Sequence, residues 1–401
     1  MTPEQYGRSF DSAIRSMVPR AAQLTESFAE RLRGAGLQPE EVVDAASLDR
    51  LPVLSKDQLL ELQRKLPPFG GLLAPRAPVR RVFQSPGPLY EPELDHADHW
   101  RWAPALQAAG FDENDIVLNA AGYHLSPLGA MLEEGVRVLG CRVVPGGVGN
   151  LELQVQACAD LGVSAYTGLP SYLKALWDRA EGAGIELVIR KAFVTAEPLP
   201  PSLREWLGKR LETVLQGYGT AELGNLGYEC EQMEGLHVPT DALVEVCELD
   251  SGEARWDGSV GQVVATLFHP EYPLVRLGTG DLSAFLLDPC PCGRPAPRLK
   301  GWMGRMGDAV KVRGMFLHPR QVQVVMGQVP QVEGYRFLVE RVEHRDLLRC
   351  QVVGVAGTVP QELAARVKEQ IRSGLRFDAE VQVVDALPEE AAVIEDLRSW
   401  E

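Results

Sequence analysis

The sequence predicts an α/β protein: a large N-terminal α/β domain with mixed sheets over residues 1–305, then a small C-terminal α+β domain over 306–401. Three observations carry this. Between residues 115 and 220 short apolar strands alternate with amphipathic helices, the pattern of a mixed, largely parallel sheet. From 240 to 300 strand-like segments dominate. Beyond Met306 the order reads β-α-β-β-α-β, enough for a compact module of about 95 residues.

Residues 1–80 read as helical, with Gln23–Leu37 carrying apolar residues at helical spacing until Gly36 and Pro39 stop it. Ile116–Asn119, Arg142–Pro145, Ser164–Thr167 and Ala192–Thr195 are strand candidates, with Leu151–Leu161 and Tyr172–Ala180 as helices among them. Gly261–Phe268 is a further strand. The last module reads Val310–Arg313, Pro319–Gln328, Tyr335–Glu340, Asp346–Val353, Pro360–Arg372 and Glu380–Val384. There is no internal repeat and no low-complexity run.

Composition bounds the function. Hydrophobic residues make up 45% and charged residues 24%, ordinary for a globular chain of 401 residues. A net charge of −15 argues against nucleic-acid and anionic-membrane partners. No apolar run approaches the ~18 residues of a membrane span, and the N-terminus lacks the basic-then-apolar order of a signal peptide. Seven cysteines in so long a chain fit a reducing cytoplasm, where paired thiols more often bind metal than each other.

The segment Gln216-Gly-Tyr-Gly-Thr-Ala-Glu-Leu-Gly224 places an aromatic ring, a hydroxyl and a carboxylate among glycines. Tyr218 is suited to stack on a base, Thr220 to bond a phosphate oxygen, and Glu222 to hold Mg²⁺. Gly217 and Gly219 would admit a ligand close to the backbone. A plain glycine-rich turn after a strand at Glu212–Leu215 is the bland alternative. Further on, Arg276-Leu-Gly-Thr-Gly-Asp281 sets a carboxylate after a tight turn, where Asp281 can accept from two ribose hydroxyls. Gly304-Arg305, Asp308 and Lys311-Val-Arg-Gly314 follow.

At these residues the chain resembles the adenylate-forming enzymes, most closely their phenylacetate–CoA ligase branch. The resemblance extends through Ala121–Ser126, Gly147–Gln154, Thr167–Ser171 and Ala196–Leu199. It implies a ligase that activates a small carboxylic acid with ATP and passes the acyl group to coenzyme A. It implies that Glu197 borders the adenine, that His124 lines an acyl pocket, and that Arg294 or Arg305 joins the nucleotide site. Asp308 would be the pivot of a mobile C-terminal domain. A homodimer is compatible with the sequence, which does not itself set the oligomeric state.

The chain departs from the branch in two places. The phosphate loop falls at Ser85-Pro-Gly-Pro-Leu-Tyr-Glu-Pro92. Ser85, Gly87 and Pro92 match, but prolines remove N–H groups and Glu91 replaces the lysine. With Glu93 and Asp95 behind it, Glu91 is expected to add negative charge where phosphate would sit. The C-terminal lysine is missing too: the last lysine is Lys368, and Glu390 or Ala391 stands at its place. Lys311 is the substitute cation considered. Three classes therefore stay open: a ligase, a ligase-fold protein that binds nucleotide or acyl-CoA without turnover, and a transferase using a preformed adenylate.

The cysteines carry a separate signal. Cys230, His237, Cys290 and Cys292 make a plausible tetrahedral Zn²⁺ shell, although neither spacing is a standard finger; some members of the branch show a similar set. Cys141, Cys158, Cys247 and Cys350 read as core residues. His96 and His99 read as a solvated helix start.

Overall fold

Alternating strands and helices after residue 115 assemble one nine-stranded sheet, the spine of the first of two units in the computed structural model of the chain. The structure describes residues 1–401 except 86–88, 309, 313–314, 318, 343–344, 376, 389–391 and 399–401, and the side chains of some neighbours, Asp308 and Lys311 among them, are also outside it. The units are Met1–Trp302 and Met303–Glu401.

Across the sheet run Arg142–Pro145, Ile116–Asn119, Ala165–Gly168, Lys191–Val194, Thr213–Thr220, Gly224–Tyr228, Leu236–His237, Arg298–Leu299 and Phe285–Leu286. The first five are parallel, joined through helices such as Leu128–Val138, Leu151–Leu161 and Pro170–Ala183. Strand Thr213–Thr220 changes partner along its length. Its first half pairs in parallel with Lys191–Val194; Gly217–Thr220 pairs antiparallel with Gly224–Tyr228. The Tyr218 motif therefore sits where the parallel and antiparallel halves meet. Gly217 and Gly219 serve that junction. A Cβ on Gly217 would run into Phe193, and one on Gly219 into the Gly224 backbone.

A three-stranded antiparallel sheet, Ala242–Cys247, Gly261–Leu267 and Leu277–Ser283, carries Asp281. It shares a core with the N-terminal helices, through Ile14, Phe28, Leu59, Val244 and Leu274. The helix expected over Gln23–Leu37 is instead two, Asp11–Leu24 and Glu26–Gly34. Thr25 breaks them: its backbone is extended and its hydroxyl bonds back to the Ala21 carbonyl at 2.8 Å.

The second unit has a four-stranded sheet in the order Glu380–Val383, Arg345–Gly354, Val332–Val342, Ile394–Asp396, with an antiparallel central pair and parallel edges. Helices Pro319–Met326 and Pro360–Leu375 share a core with it through Val322, Phe337, Val352, Val367 and Ile371. The six expected elements are present. Two three-residue strands, Met315–Leu317 and Ile394–Asp396, were not expected, being too short to show alternation. Among the described residues no helix is long and apolar enough to cross a membrane.

Candidate active site

Two motifs far apart in the chain meet in space. The Tyr218 hydroxyl donates to Asp281 Oδ2 at 3.1 Å, across 63 residues. The junction strand and the three-stranded sheet each present one partner. Asp281 is held from behind: its N–H donates to Thr279 Oγ1 at 3.0 Å, and the Thr279 hydroxyl donates to the Val263 carbonyl at 2.9 Å. Thr220 closes the turn that follows, its hydroxyl accepting from Leu223 N at 3.2 Å.

Glu222 is buried and paired with Lys56, Nζ to Oε2 at 3.0 Å. Lys56 begins the helix Lys56–Lys65, which Ser55 caps by accepting from Gln58 N. Sequence reading missed this lysine. It stands 166 residues before its partner, and no local pattern marks it.

The loop with the phosphate-binding resemblance forms a hairpin between Val79–Gln84 and Tyr90–Leu94. Ser85 N donates to the Leu89 carbonyl at 2.8 Å, and Leu89 N donates to Ser85 Oγ at 3.3 Å. Ser85 thus closes the hairpin. Gly87 lies outside the described residues, as do Glu390 and Ala391 at the place of the missing lysine. Of the three carboxyl groups expected to add negative charge there, Glu91 and Glu93 are buried. Glu93 is buried against the Arg81 guanidinium. Glu91 is 2% exposed, and its Oε1 has no hydrogen-bond partner among the described residues. Burial, with Glu222 nearby, pushes the Glu91 pKa well above the ordinary carboxylate range, which favours the protonated carboxyl.

Glu197 follows Ala196, whose φ is +68°, in the turn after strand Lys191–Val194. Its carboxylate accepts from the Ser171 hydroxyl at 2.6 Å. His124 is exposed in a loop tied to the hairpin, where Gln84 N donates to the Leu125 carbonyl at 2.9 Å. Arg294 does not join Tyr218 and Asp281: it ion-pairs with Glu231 at 2.8 Å, and its N–H faces Cys292 Sγ. The physical reason is the turn at Cys290–Gly293, which holds Arg294 beside the thiols. Arg305, exposed, and Lys311, on strand Val310–Val312, belong to the second unit, as does Asp308 in the single turn Met306–Asp308.

Cys230, His237, Cys290 and Cys292 converge, with their ligand atoms all within 4.8 Å of one another. Cys230 Sγ lies 3.7 Å from Cys290 Sγ, and Cys292 Sγ lies 3.3 Å from His237 Nε2. Zn–S bonds of ~2.3 Å in a tetrahedron put sulfurs about 3.8 Å apart, so the set fits that ion. His237 Nδ1 lies 2.9 Å from the Ala296 carbonyl, the outer hydrogen bond that fixes a metal-binding imidazole with Nε2 toward the ion. As a free thiol Cys230 is pushed up to about 12 by burial, so deprotonation there needs a cation. Cys141, Cys158, Cys247 and Cys350 are buried in the cores.

His96 and His99 do not start a helix. They stack with His269, the ring centroids 5.1–6.4 Å apart. His99 is buried, its Nδ1 without a hydrogen-bond partner among the described residues. Burial pushes His99 down to about 2 and His269 down to about 4, with nearby Arg101 acting in the same sense.

This architecture is that of CoA ligases of the adenylate-forming class. It superposes on a structure of 2-hydroxyisobutyryl-CoA ligase in an open conformation, with 2-HIB-AMP and CoA, at a TM-score of 0.84 and 22% identity, covering 99% of this chain and 92% of that one. No family model matches the sequence. The phenylacetate-coenzyme A ligase of Thermus thermophilus is 31% identical over 352 residues, covering 83% of this chain and 78% of that protein. That of Pseudomonas putida is 29% identical over 342 residues, covering 81% and 76%. The chain belongs to the phenylacetate–CoA ligase family of adenylate-forming enzymes.

Proposed function

We propose that the chain joins a small carboxylic acid, of aryl type in the first instance, to coenzyme A through an acyl-adenylate. The observation that carries this reading is the meeting of Tyr218 and Asp281 beside the Thr220–Glu222 turn. In the first step a substrate carboxylate oxygen bonds to the α-phosphorus of ATP, and the bond to pyrophosphate breaks. In the second the coenzyme A sulfur bonds to the acyl carbon, its proton is lost, and AMP leaves.

Tyr218 stacks on the adenine and Glu197 borders it. Asp281 accepts from the ribose. Thr220 bonds phosphate, and His124 flanks the acyl group. Glu222 would hold Mg²⁺; a hard carboxylate oxygen suits that ion, which supplies charge neutralisation when bound. Lys56, already on Glu222, offers positive charge that neither the loop nor the tail retains. Arg305 and Lys311 are the second unit's candidates for the nucleotide, and Gly304 and Gly307, just before Asp308, would let that unit move between half-reactions. Zn²⁺ on the Cys/His cluster pins the loop after Tyr228 to the Cys290–Gly293 turn. A reduced cluster of this kind supports a cytoplasmic setting.

The altered phosphate loop favours a second reading, in which adenylation is lost and the chain takes a preformed acyl-adenylate. Pyrophosphate release from ATP across a panel of acids separates the two. Acid-dependent release followed by a coenzyme A thioester supports the ligase. A thioester formed only from supplied acyl-adenylate supports the transferase. Nucleotide binding with neither product leaves a non-catalytic binder.

A further inference from the structure

Trp302 has no part in the site as drawn so far, yet it touches the centre of it. Its Nε1 donates to Asp281 Oδ1 at 3.0 Å, while Tyr218 donates to Oδ2 at 3.1 Å. An indole nitrogen is a donor only, so the direction of that bond is fixed, and Oδ1 is an unprotonated oxygen. The carboxylate is therefore gripped by one donor on each oxygen, which sets the plane of the group. The segment that brings the indole there is anchored to the same strand as Asp281. Lys300 N donates to the Ala284 carbonyl at 2.8 Å, and the Ser283 hydroxyl donates to the Gly301 carbonyl at 2.7 Å. Gly301 has φ +103°, a conformation in which a side chain would be strained. Trp302 itself is 40% exposed, so its burial in a core does not explain its place.

A vicinal diol addresses a carboxylate with one hydroxyl on each oxygen. The angle of the carboxylate plane then decides whether both hydrogen bonds form or only one. We propose that Trp302 is a positioning residue for the nucleotide ribose: with Tyr218 it locks the Asp281 carboxylate in the orientation that takes both the 2′- and 3′-hydroxyls. It acts through Asp281, and the inference rests on Asp281 being the ribose acceptor. Its consequence is a preference for ribonucleotides over deoxyribonucleotides. A carboxylate left to rotate keeps one good hydrogen bond to either sugar and loses the second, which only the ribonucleotide can make.

The test is calorimetry of the full chain with AMP and 2′-deoxy-AMP, for wild type, Trp302→Phe, Asp281→Asn and the double variant. Phe keeps the ring and removes the donor. Trp302→Phe is expected to weaken AMP about 3- to 10-fold, within the net worth of an ordinary hydrogen bond, and to leave 2′-deoxy-AMP within about two-fold. Asp281→Asn is expected to weaken AMP further and to abolish the preference, and the double variant to match it. The ratio of the two affinities is read within each variant, so a fraction of inactive protein cancels. If Asp281→Asn keeps wild-type affinity and preference, the ribose assignment itself fails. If Asp281→Asn loses the preference while Trp302→Phe retains it, the ribose assignment stands and the role given to Trp302 is overturned. Tighter AMP binding by Trp302→Phe also overturns it, since the indole would then be competing with the sugar.

Discussion

The cysteine-rich loops and the Ser85–Pro92 hairpin are both short segments with turn residues, yet the fold uses them in opposite ways. The first pair converges. Three sulfurs and one imidazole nitrogen from two segments about sixty residues apart lie within 4.8 Å, and the imidazole is already oriented by the Ala296 carbonyl. The hairpin closes on itself. Ser85 spends its N–H and accepts with its hydroxyl within the turn, and Glu91 turns its carboxyl into the interior. Ligand atoms held toward a common point are what a metal site requires. Donors satisfied within their own turn mark a piece of scaffold, whatever motif the residues resemble.

The largest expected effect breaks the convergent region. Cys292→Ser should take zinc content from about one per chain to near zero and lower the melting temperature by roughly 5–15 °C, since a structural ion holds its loops in the folded state. Elemental analysis and calorimetry on the same preparations check this. A metal-free protein of wild-type stability would reduce the cluster to packed thiols.

Next comes the junction strand. Tyr218→Ala should weaken AMP binding by roughly 1–3 kcal/mol, the worth of one base stacked on an aromatic ring. Equal affinity in the variant would move the adenine elsewhere. The comparison sharpens if Ser85→Ala, by contrast, costs stability and little nucleotide affinity.

These contrasts also show what was readable in the sequence. The parallel strands Ile116–Asn119 and Arg142–Pro145 were legible to the residue, because each is a short, largely apolar run between turn signals, whether buried like the first or at the sheet edge like the second. Cys230, His237, Cys290 and Cys292 were singled out in the sequence by residue type alone, and the fold brings their ligand atoms within 4.8 Å of one another. Lys56 was not, since a lysine after a capping Ser55 looks like any first-turn residue until its partner is known. The burial of Glu91 was not legible either. A glutamate in a loop reads as charge, and only burial without a partner turns it into a neutral acid. The break at Thr25 was hidden because a β-branched residue at a helical position changes the period by nothing.

The histidine stack gives a pH dependence whose sign can be worked out. His99 and His269 are held neutral in the fold, at about 2 and about 4, against 6.5 when unfolded. Between those values the unfolded chain binds more protons, so stability rises with pH and falls as pH drops below 6.5. At pH 5 the loss should be roughly 1–2 kcal/mol for each imidazole. His99→Gln should flatten the melting-temperature profile between pH 4 and 6.5. An unchanged slope would mean that the stack opens and both rings protonate in place.

The smallest effect tests whether the hairpin has left phosphate chemistry behind. Burial raises the Glu91 pKa well above 4.5 in the fold, whereas the unfolded carboxyl ionises near that value. The folded state therefore binds the extra proton above pH 4.5, and this group's contribution to stability is full below that pH and declines as pH rises. Glu91→Gln replaces a neutral acid with a neutral amide of the same shape and removes the penalty of keeping a proton on. The variant should be more stable than wild type at pH 8, and the difference should shrink toward zero near pH 4. Melting curves across that range check the slope, and AMP affinity should stay unchanged. If Glu91→Gln is instead less stable at pH 8, the carboxylate is ionised in the fold and bound by a cation. The hairpin would then belong with the convergent loops, as a place where the chain holds its donors ready for a ligand.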